Sequence, residues 1–234
     1  MNEGHEMRWG GLAGLGALVL SIIAGILLAG APRITESADT IAGYLLAARG
    51  VVLTAVLLYA AAIALFLWFG ATLATAFRLA DDRSDAPAVV LAGFALTSTI
   101  GFFGAAVFGG AVFAMTSRPA LLVFAAAPYT VVTVAATVAG IALAIPLTAT
   151  AVAIARTGVF PQWAAWFSGF VAVISVLSAI TILSAGGVLV PGAALTTYIP
   201  GGLTALWVLA MSGLLVREHL PTISVQKGPA VGPA

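Results

Sequence analysis

The sequence has no cysteine and very little charge, and both absences limit what the protein can be. Without cysteine it has no disulfides, no thiolate nucleophile and no cysteine metal site. Only 7% of its 234 residues are charged, whereas soluble domains carry about 25% charged residues. The net charge of +1 provides no basic field, so we expect no nucleic-acid partner.

Hydrophobic residues, in contrast, make up 62% of the chain. A soluble protein of this composition would lack the polar side chains that cover a water-exposed surface. We therefore expect the lipid bilayer to cover much of the apolar surface. The predicted fold class is all-α, a polytopic transmembrane helical bundle.

Charged residues fall in short clusters that divide the chain into long uncharged runs. These runs are residues 9–32, 50–77, 86–117, 119–155 and 157–216. A crossing helix needs about 20 apolar residues, so each of the first four runs is long enough for one crossing. Gly-Gly, Pro-Gly and Pro-Gly-Gly sequences interrupt the last run, and we expect two helices there, at about 163–183 and 201–216, joined by an uncharged outer loop. The second of these is short, and we expect it to begin a little before residue 201. The total is six crossings.

Two of these runs allow an alternative. Residues 119–155 contain Pro128 and Pro146 and could form one long kinked helix, or a crossing preceded by a partly re-entrant segment. One crossing is favoured because no Gly/Pro/Asn cluster supplies a turn. The first run is predicted to be a retained crossing and not a signal peptide, since Glu3 and Glu6 make a poor basic leader.

Arginine placement predicts the orientation. With six crossings, one side carries Arg8, Arg78, Arg83, Arg156, Arg217 and Lys227, and the other carries Arg33, Arg49 and Arg118. The positive-inside rule then places both termini in the cytoplasm. We predict a cytoplasmic tail at residues 1–8, a single membrane domain at 9–217 and a flexible cytoplasmic tail at 218–234. Heavy use of alanine and arginine favours a bacterial protein of the cytoplasmic (inner) membrane.

The outer connection between the first two crossings is the longest loop, at residues 31–50. Its apolar residues Ile41, Tyr44, Leu45 and Ala48 recur at helical spacing between charged flanks. This pattern predicts a short amphipathic helix that lies on the outer membrane surface. The alternative is that these residues extend the second crossing.

No predicted crossing has an ionisable residue at its centre. Because buried charges mark ion relays, voltage sensors and intramembrane metal sites, their absence argues against those classes. No nucleotide-binding, metalloprotease or Ser/His/Asp motif is present either. We expect no catalytic residue, no metal and no cofactor, and do not expect an enzyme.

Uncharged polar residues provide one candidate site. Thr130, Thr133 and Thr137 share one face of the predicted fourth crossing. Pro128 and Pro146 flank them, and each is expected to free a backbone carbonyl. Together these residues could line a polar cleft. The alternative is that the threonines hydrogen-bond within the bundle, at about 0.6 kcal/mol per contact.

A second candidate site lies in the outer loop. An enzyme acting on lipid would require Glu36, Asp39 and Arg49 to converge in an outer-leaflet pocket. This function is the least favoured of those considered, because no acid, base and nucleophile are clustered in the sequence.

Three stretches carry a family resemblance: IAGY at residues 41–44 leading to Arg49-Gly50, LFLWFGATL at 65–73 and RTGVFPQW at 156–163. With them the chain resembles a family of multi-pass membrane proteins common in actinobacteria. The resemblance implies a six-helix bundle. It implies no activity and no functional residues.

The leading functional hypothesis is a non-catalytic accessory subunit or a protein that binds a lipophilic molecule, with another membrane protein or a lipid as partner. Its basis is the lack of buried charge together with many small residues, such as the GxxxG spacing of Gly10 and Gly14, that let helices approach closely. The alternative is a permease or channel for a small neutral solute that uses the threonine face.

Overall fold

The computed structural model describes residues 3–184 and 187–217, and most of these residues lie in helices. The α-helices are α1 (Glu3–Leu27), α2 (Ala38–Ala47), α3 (Arg49–Ala80), α4 (Ala86–Ser117), α5 (Ala126–Thr157), α6 (Gln162–Ile180) and α7 (Ala194–Val216). All but α2 are long and apolar enough to cross a bilayer. The predicted all-α bundle with six crossings is confirmed. The predicted tail at 218–234 lies outside the described residues.

The six crossing helices form a closed ring. Helix α1 packs against α3 and α7, and each of α3, α4, α5 and α6 packs against the next crossing helix along the chain. A helix crossing lipid must satisfy its own backbone hydrogen bonds, and short loops make consecutive helices antiparallel neighbours. Large apolar side chains on the outside of this ring, such as Leu57, Phe103 and Val173, are exposed.

Two buried clusters occupy the two ends of the bundle. The larger contains Met7, Phe77 and Leu215, which lie within two residues of Arg8, Arg78 and Arg217 in the sequence, and it also contains Phe160 of the loop after Arg156. The smaller cluster combines α2 with residues near Arg49 and Arg118. The two groups of arginines thus lie at opposite ends of the bundle, as the predicted topology requires.

Helix α7 begins before residue 201, as expected. It starts at Ala194 and continues through Pro200 and two glycines. Pro200 has no N–H and cannot bond the carbonyl of Thr196 one turn earlier. The hydroxyl of Ser178 on α6 donates to that carbonyl instead, at 3.1 Å. This neighbouring hydroxyl satisfies the backbone and lets the helix continue.

Helix α2 confirms the predicted short outer helix, with one difference. It begins at Ala38, where the Ser37 hydroxyl accepts the Thr40 backbone N–H at 3.2 Å as an N-cap. Ala48, at φ −103° and ψ 15°, separates it from α3, so it does not extend the second crossing. Its apolar stripe faces the bundle and not the lipid, since Leu45 is buried in the smaller core cluster.

Residues 119–155 form a single crossing, as favoured. A short 3-10 helix, Pro119–Phe124, precedes α5. At the other end of α5, Gly158 adopts φ 65° and its N–H bonds to the carbonyl of Ile154. This left-handed cap suits glycine, which has no Cβ to clash there.

Candidate functional site

The three threonines of the predicted polar cleft share one half-buried face of α5, and each hydroxyl is used within its own helix. Thr130, Thr133 and Thr137 donate to the carbonyls four residues earlier, at 2.8, 3.0 and 2.9 Å. Gly192, in the α6–α7 loop, approaches this face so closely that a Cβ there would lie 2.9 Å from Thr133 Cγ2. The loop therefore contacts the middle of the face.

The two prolines of the predicted cleft occupy different positions in α5, one in its first turn and one in its interior. Pro128 is in the first turn of α5, where the backbone N–H groups have no partner within the helix. The expectation that Pro128 frees a carbonyl is therefore wrong. Pro146 lies inside the helix and is buried, with its ring close to Gly93 of α4. It thus packs closely against a neighbouring helix, nine residues along α5 from Thr137.

The residues of the outer-loop candidate site bond to different parts of the chain. Glu36 accepts the backbone N–H of Arg33 at 3.0 Å, which closes a local turn. Asp39 is exposed in the first turn of α2. Arg49 donates from Nε to the Thr116 hydroxyl on α4 at 2.8 Å. Glu36 and Arg49 therefore have different hydrogen-bond partners.

Two further contacts lie at this end of the bundle. One joins Arg49 to α4, and the other joins Tyr129 of α5 to the loop before α2. The Arg49 guanidinium lies 5.6 Å from the centre of the Phe113 ring, within the range of a cation–π interaction. The Tyr129 hydroxyl donates to the Pro32 carbonyl at 2.6 Å. Burial raises the pKa of the nearby Tyr44 hydroxyl above its ordinary value. Side chains of α3 and α5 thus connect the helices and the loop at the end of the bundle that holds α2.

Sequence reasoning missed the main polar contact inside the bundle. Trp207 of α7 is fully buried, and its Nε1–H donates to the Ser168 hydroxyl of α6 at 2.8 Å. The Ser168 hydroxyl in turn donates to the Ala164 carbonyl at 2.7 Å. Tryptophan in membrane proteins favours the bilayer interfaces. A tryptophan in the middle of a crossing was the sequence signal that could have indicated this contact.

Aromatic rings surround Trp207 and link three helices. The Trp207 ring lies 5.9 Å from Phe69 of α3, edge to face, and 6.3 Å from Phe94 of α4, stacked. Phe66 contacts Phe94 at 4.9 Å. Such ring pairs contribute about 0.5–1.5 kcal/mol beyond area burial. This cluster fills the centre of the ring of helices, toward the predicted cytoplasmic end.

The small residues of α1 pack within the bundle. A Cβ added at Gly10 would overlap the Thr72 side chain of α3, and one at Gly14 would overlap the Ser212 side chain of α7. Both glycines are thus needed for close approach between helices of the same chain. The GxxxG face is covered by α3 and α7.

One surface groove lies between α1 and α3, near the end predicted to be cytoplasmic. This α1–α3 groove, of about 680 Å³, is lined by Met7, Trp9, Trp68, Ala71, Thr72, Thr75 and Leu79. Trp9 and Trp68 are half exposed, at 53% and 56%. The Thr75 hydroxyl donates to the Ala71 carbonyl of its own helix. The walls therefore offer mainly aromatic and aliphatic surface.

The second groove runs between α4 and α5 and also touches α6. This α4–α5 groove, of about 590 Å³, includes the aliphatic side chains of Val89, Ile141, Ile145, Val152 and Val176. Thr148 and Arg156 are its polar lining residues. Both are open surface grooves and not enclosed cavities. Neither groove is lined by the threonine face of α5.

Comparisons of this chain with protein-family models, with curated proteins and with solved structures found no match. The resemblance to an actinobacterial membrane-protein family therefore stays a prediction. The geometry of the chain itself has to support any functional proposal.

Proposed function

We propose that this protein is a non-catalytic membrane protein that binds a lipophilic molecule within the bilayer, in the bacterial cytoplasmic membrane. The observation that carries the proposal is the pair of grooves on the outside of the bundle, whose walls are mostly apolar. With the helices in a bilayer, these grooves would be reached from the lipid, so that an acyl chain or another apolar molecule can enter from the side. No polar path through the bundle is needed for such binding.

The packing of α1 favours this form of the proposal over an accessory subunit. Its small-residue face, the most evident surface for pairing with another membrane protein, is already covered by α3 and α7. The permease alternative needs a path along the threonine face, where each hydroxyl donates within its own helix. We therefore place the lipophile in the grooves.

Native mass spectrometry of the full chain, purified in a mild detergent, tests the proposal. We expect the wild-type protein to retain a lipophilic molecule. Tryptophan substitutions at Thr75 and Thr148, which line the two grooves, should reduce the retained mass when combined. Thr54→Trp and Thr99→Trp place the same bulk at exposed positions outside both grooves and serve as controls.

The proposal is wrong if the wild-type protein is a monomer without any bound lipid or other apolar molecule under these conditions. It is also wrong if the retained mass is the same in the groove variants and in the controls. Circular dichroism and gel filtration of each variant establish that the helical bundle is intact.

A further inference from the structure

One end of the α4–α5 groove is flanked by one charge of each sign. Arg156 lines the groove in the last turn of α5, and Asp85 directly precedes Ala86, which lines it from α4. Both side chains are exposed. Neither has a hydrogen bond or an ion pair with another part of the chain that the structure describes. A cation and an anion are therefore both available to a ligand at this end.

The rest of the groove suits an acyl chain. It follows α5 from Arg156 to Ile141, which is about 22 Å of helix at about 1.5 Å per residue. One leaflet of a bilayer contains about 15 Å of hydrocarbon, half of the full core of about 30 Å. An acyl chain that starts at Arg156 therefore stays in contact with the groove through its whole leaflet. Thr148 is the single polar side chain along that path.

We propose that the α4–α5 groove binds a phospholipid of the cytoplasmic leaflet whose headgroup carries a phosphate and a primary ammonium. This inference rests on the proposed function and names the ligand of one of its grooves. The Arg156 guanidinium binds the phosphate, for which its planar fork of donors is suited. The Asp85 carboxylate accepts the ammonium N–H groups, and an acyl chain fills the groove.

The charges near Asp85 distinguish this headgroup from other phospholipids. The loop carries Asp81 and Asp82 besides Asp85 and only one cation, Arg83, so a headgroup with only negative charge is less favoured there. A quaternary ammonium carries no N–H donor for the Asp85 carboxylate. A primary ammonium meets both requirements, since it is positive and donates hydrogen bonds.

The full chain in detergent, titrated with phosphatidylethanolamine, phosphatidylglycerol or phosphatidylcholine of matched acyl chains, tests the inference by native mass spectrometry. We expect the ethanolamine lipid to bind most tightly. Arg156→Gln and Asp85→Asn should each weaken its binding by about tenfold, because each removes a charge-assisted hydrogen bond. Thr148→Trp should remove this binding by filling the groove.

Matched controls isolate the site from general charge effects. Arg118→Gln and Asp39→Asn make the same charge changes at the opposite end of the bundle and should leave binding unchanged. Thr99→Trp adds the same bulk outside the groove. Arg156→Lys, which keeps the charge without the planar fork, should weaken binding less than Arg156→Gln.

The outcomes separate this inference from the proposed function. Tighter binding of phosphatidylglycerol, lost only in Arg156→Gln, would overturn the headgroup assignment. Retained lipid that Thr75→Trp removes and Thr148→Trp does not would overturn this site and leave the proposed function standing. A protein that retains no lipid in either groove would overturn both.

Discussion

Hydroxyl groups inside the bundle mostly donate to the carbonyl one turn earlier in their own helix, as Thr137 and Ser175 do. The Ser168 hydroxyl differs because it also accepts a bond from another helix, through Trp207 Nε1–H. An indole N–H that is fully buried in the bundle has no water to replace a lost acceptor. Ser168 should therefore contribute more to stability than hydroxyls that bond only within one helix.

We predict that Ser168→Ala lowers the free energy of unfolding by about 1–2 kcal/mol, because it leaves the Trp207 N–H without an acceptor. Ser175→Ala is the matched control, since Ser175 is also a buried α6 serine but donates only to the Val171 carbonyl. Its effect should stay within about 0.5 kcal/mol. Thermal unfolding in mild detergent, followed by circular dichroism, gives both values. Equal melting temperatures for the two variants would contradict this account.

At the scale of elements, the helices follow from the apolar runs, and the deviations follow from side chains on neighbouring helices. The sequence indicated that α7 begins before residue 201 but not at which residue, because Pro200 and two glycines indicate a turn. The carbonyl of Thr196, which Pro200 cannot bond, accepts a hydrogen bond from the hydroxyl of Ser178, 18 residues before Thr196. A sequence pattern shows the proline but not its partner.

This arrangement predicts a non-additive pair of mutations. Ser178→Ala should destabilise the protein, because the Thr196 carbonyl then has neither the Pro200 N–H nor the Ser178 hydroxyl. Interhelical bonds of this kind contribute about 0.6 kcal/mol on average and up to about 1.7 kcal/mol. In a Pro200→Ala background the backbone N–H of residue 200 supplies the missing donor, so the same mutation should cost less. A double-mutant cycle of unfolding free energies measures the coupling, and strict additivity would count against it.

Helices α4 and α5 approach each other closely at Gly93. A Cβ at Gly93 would lie 2.5 Å from Pro146 Cδ, whereas one at Gly104, on the same helix, would have nothing within 4 Å. Gly93→Ala should therefore destabilise by about 1–3 kcal/mol through overpacking. Gly104→Ala should be neutral or stabilising by about 0.5–1 kcal/mol, since alanine is the better helix former. Opposite signs in detergent unfolding are expected, and a stabilising Gly93→Ala would show that the helices are less close.

At the scale of the whole molecule, the number of crossings and the two groups of end charges could be predicted from composition and arginine placement alone. The grooves could not, because they depend on which helices become neighbours. Arg156 and Ala86 are 70 residues apart in the sequence and line one groove only because α4 packs against α5. The same holds for Trp207 and Ser168, whose pairing requires the ring of helices.

The absence of cysteine makes the orientation directly testable. Ser84, in the α3–α4 loop, and Ser117, at the end of α4, lie at opposite ends of one crossing helix. Ser84→Cys and Ser117→Cys are nearly isosteric, leave the arginine distribution unchanged and each give a protein with a single thiol. If the positive-inside rule applies, a membrane-impermeant maleimide should label Ser117→Cys in intact cells and Ser84→Cys only after lysis. The reverse pattern would place the arginine-rich end outside, and the α4–α5 groove would then open to the outer leaflet.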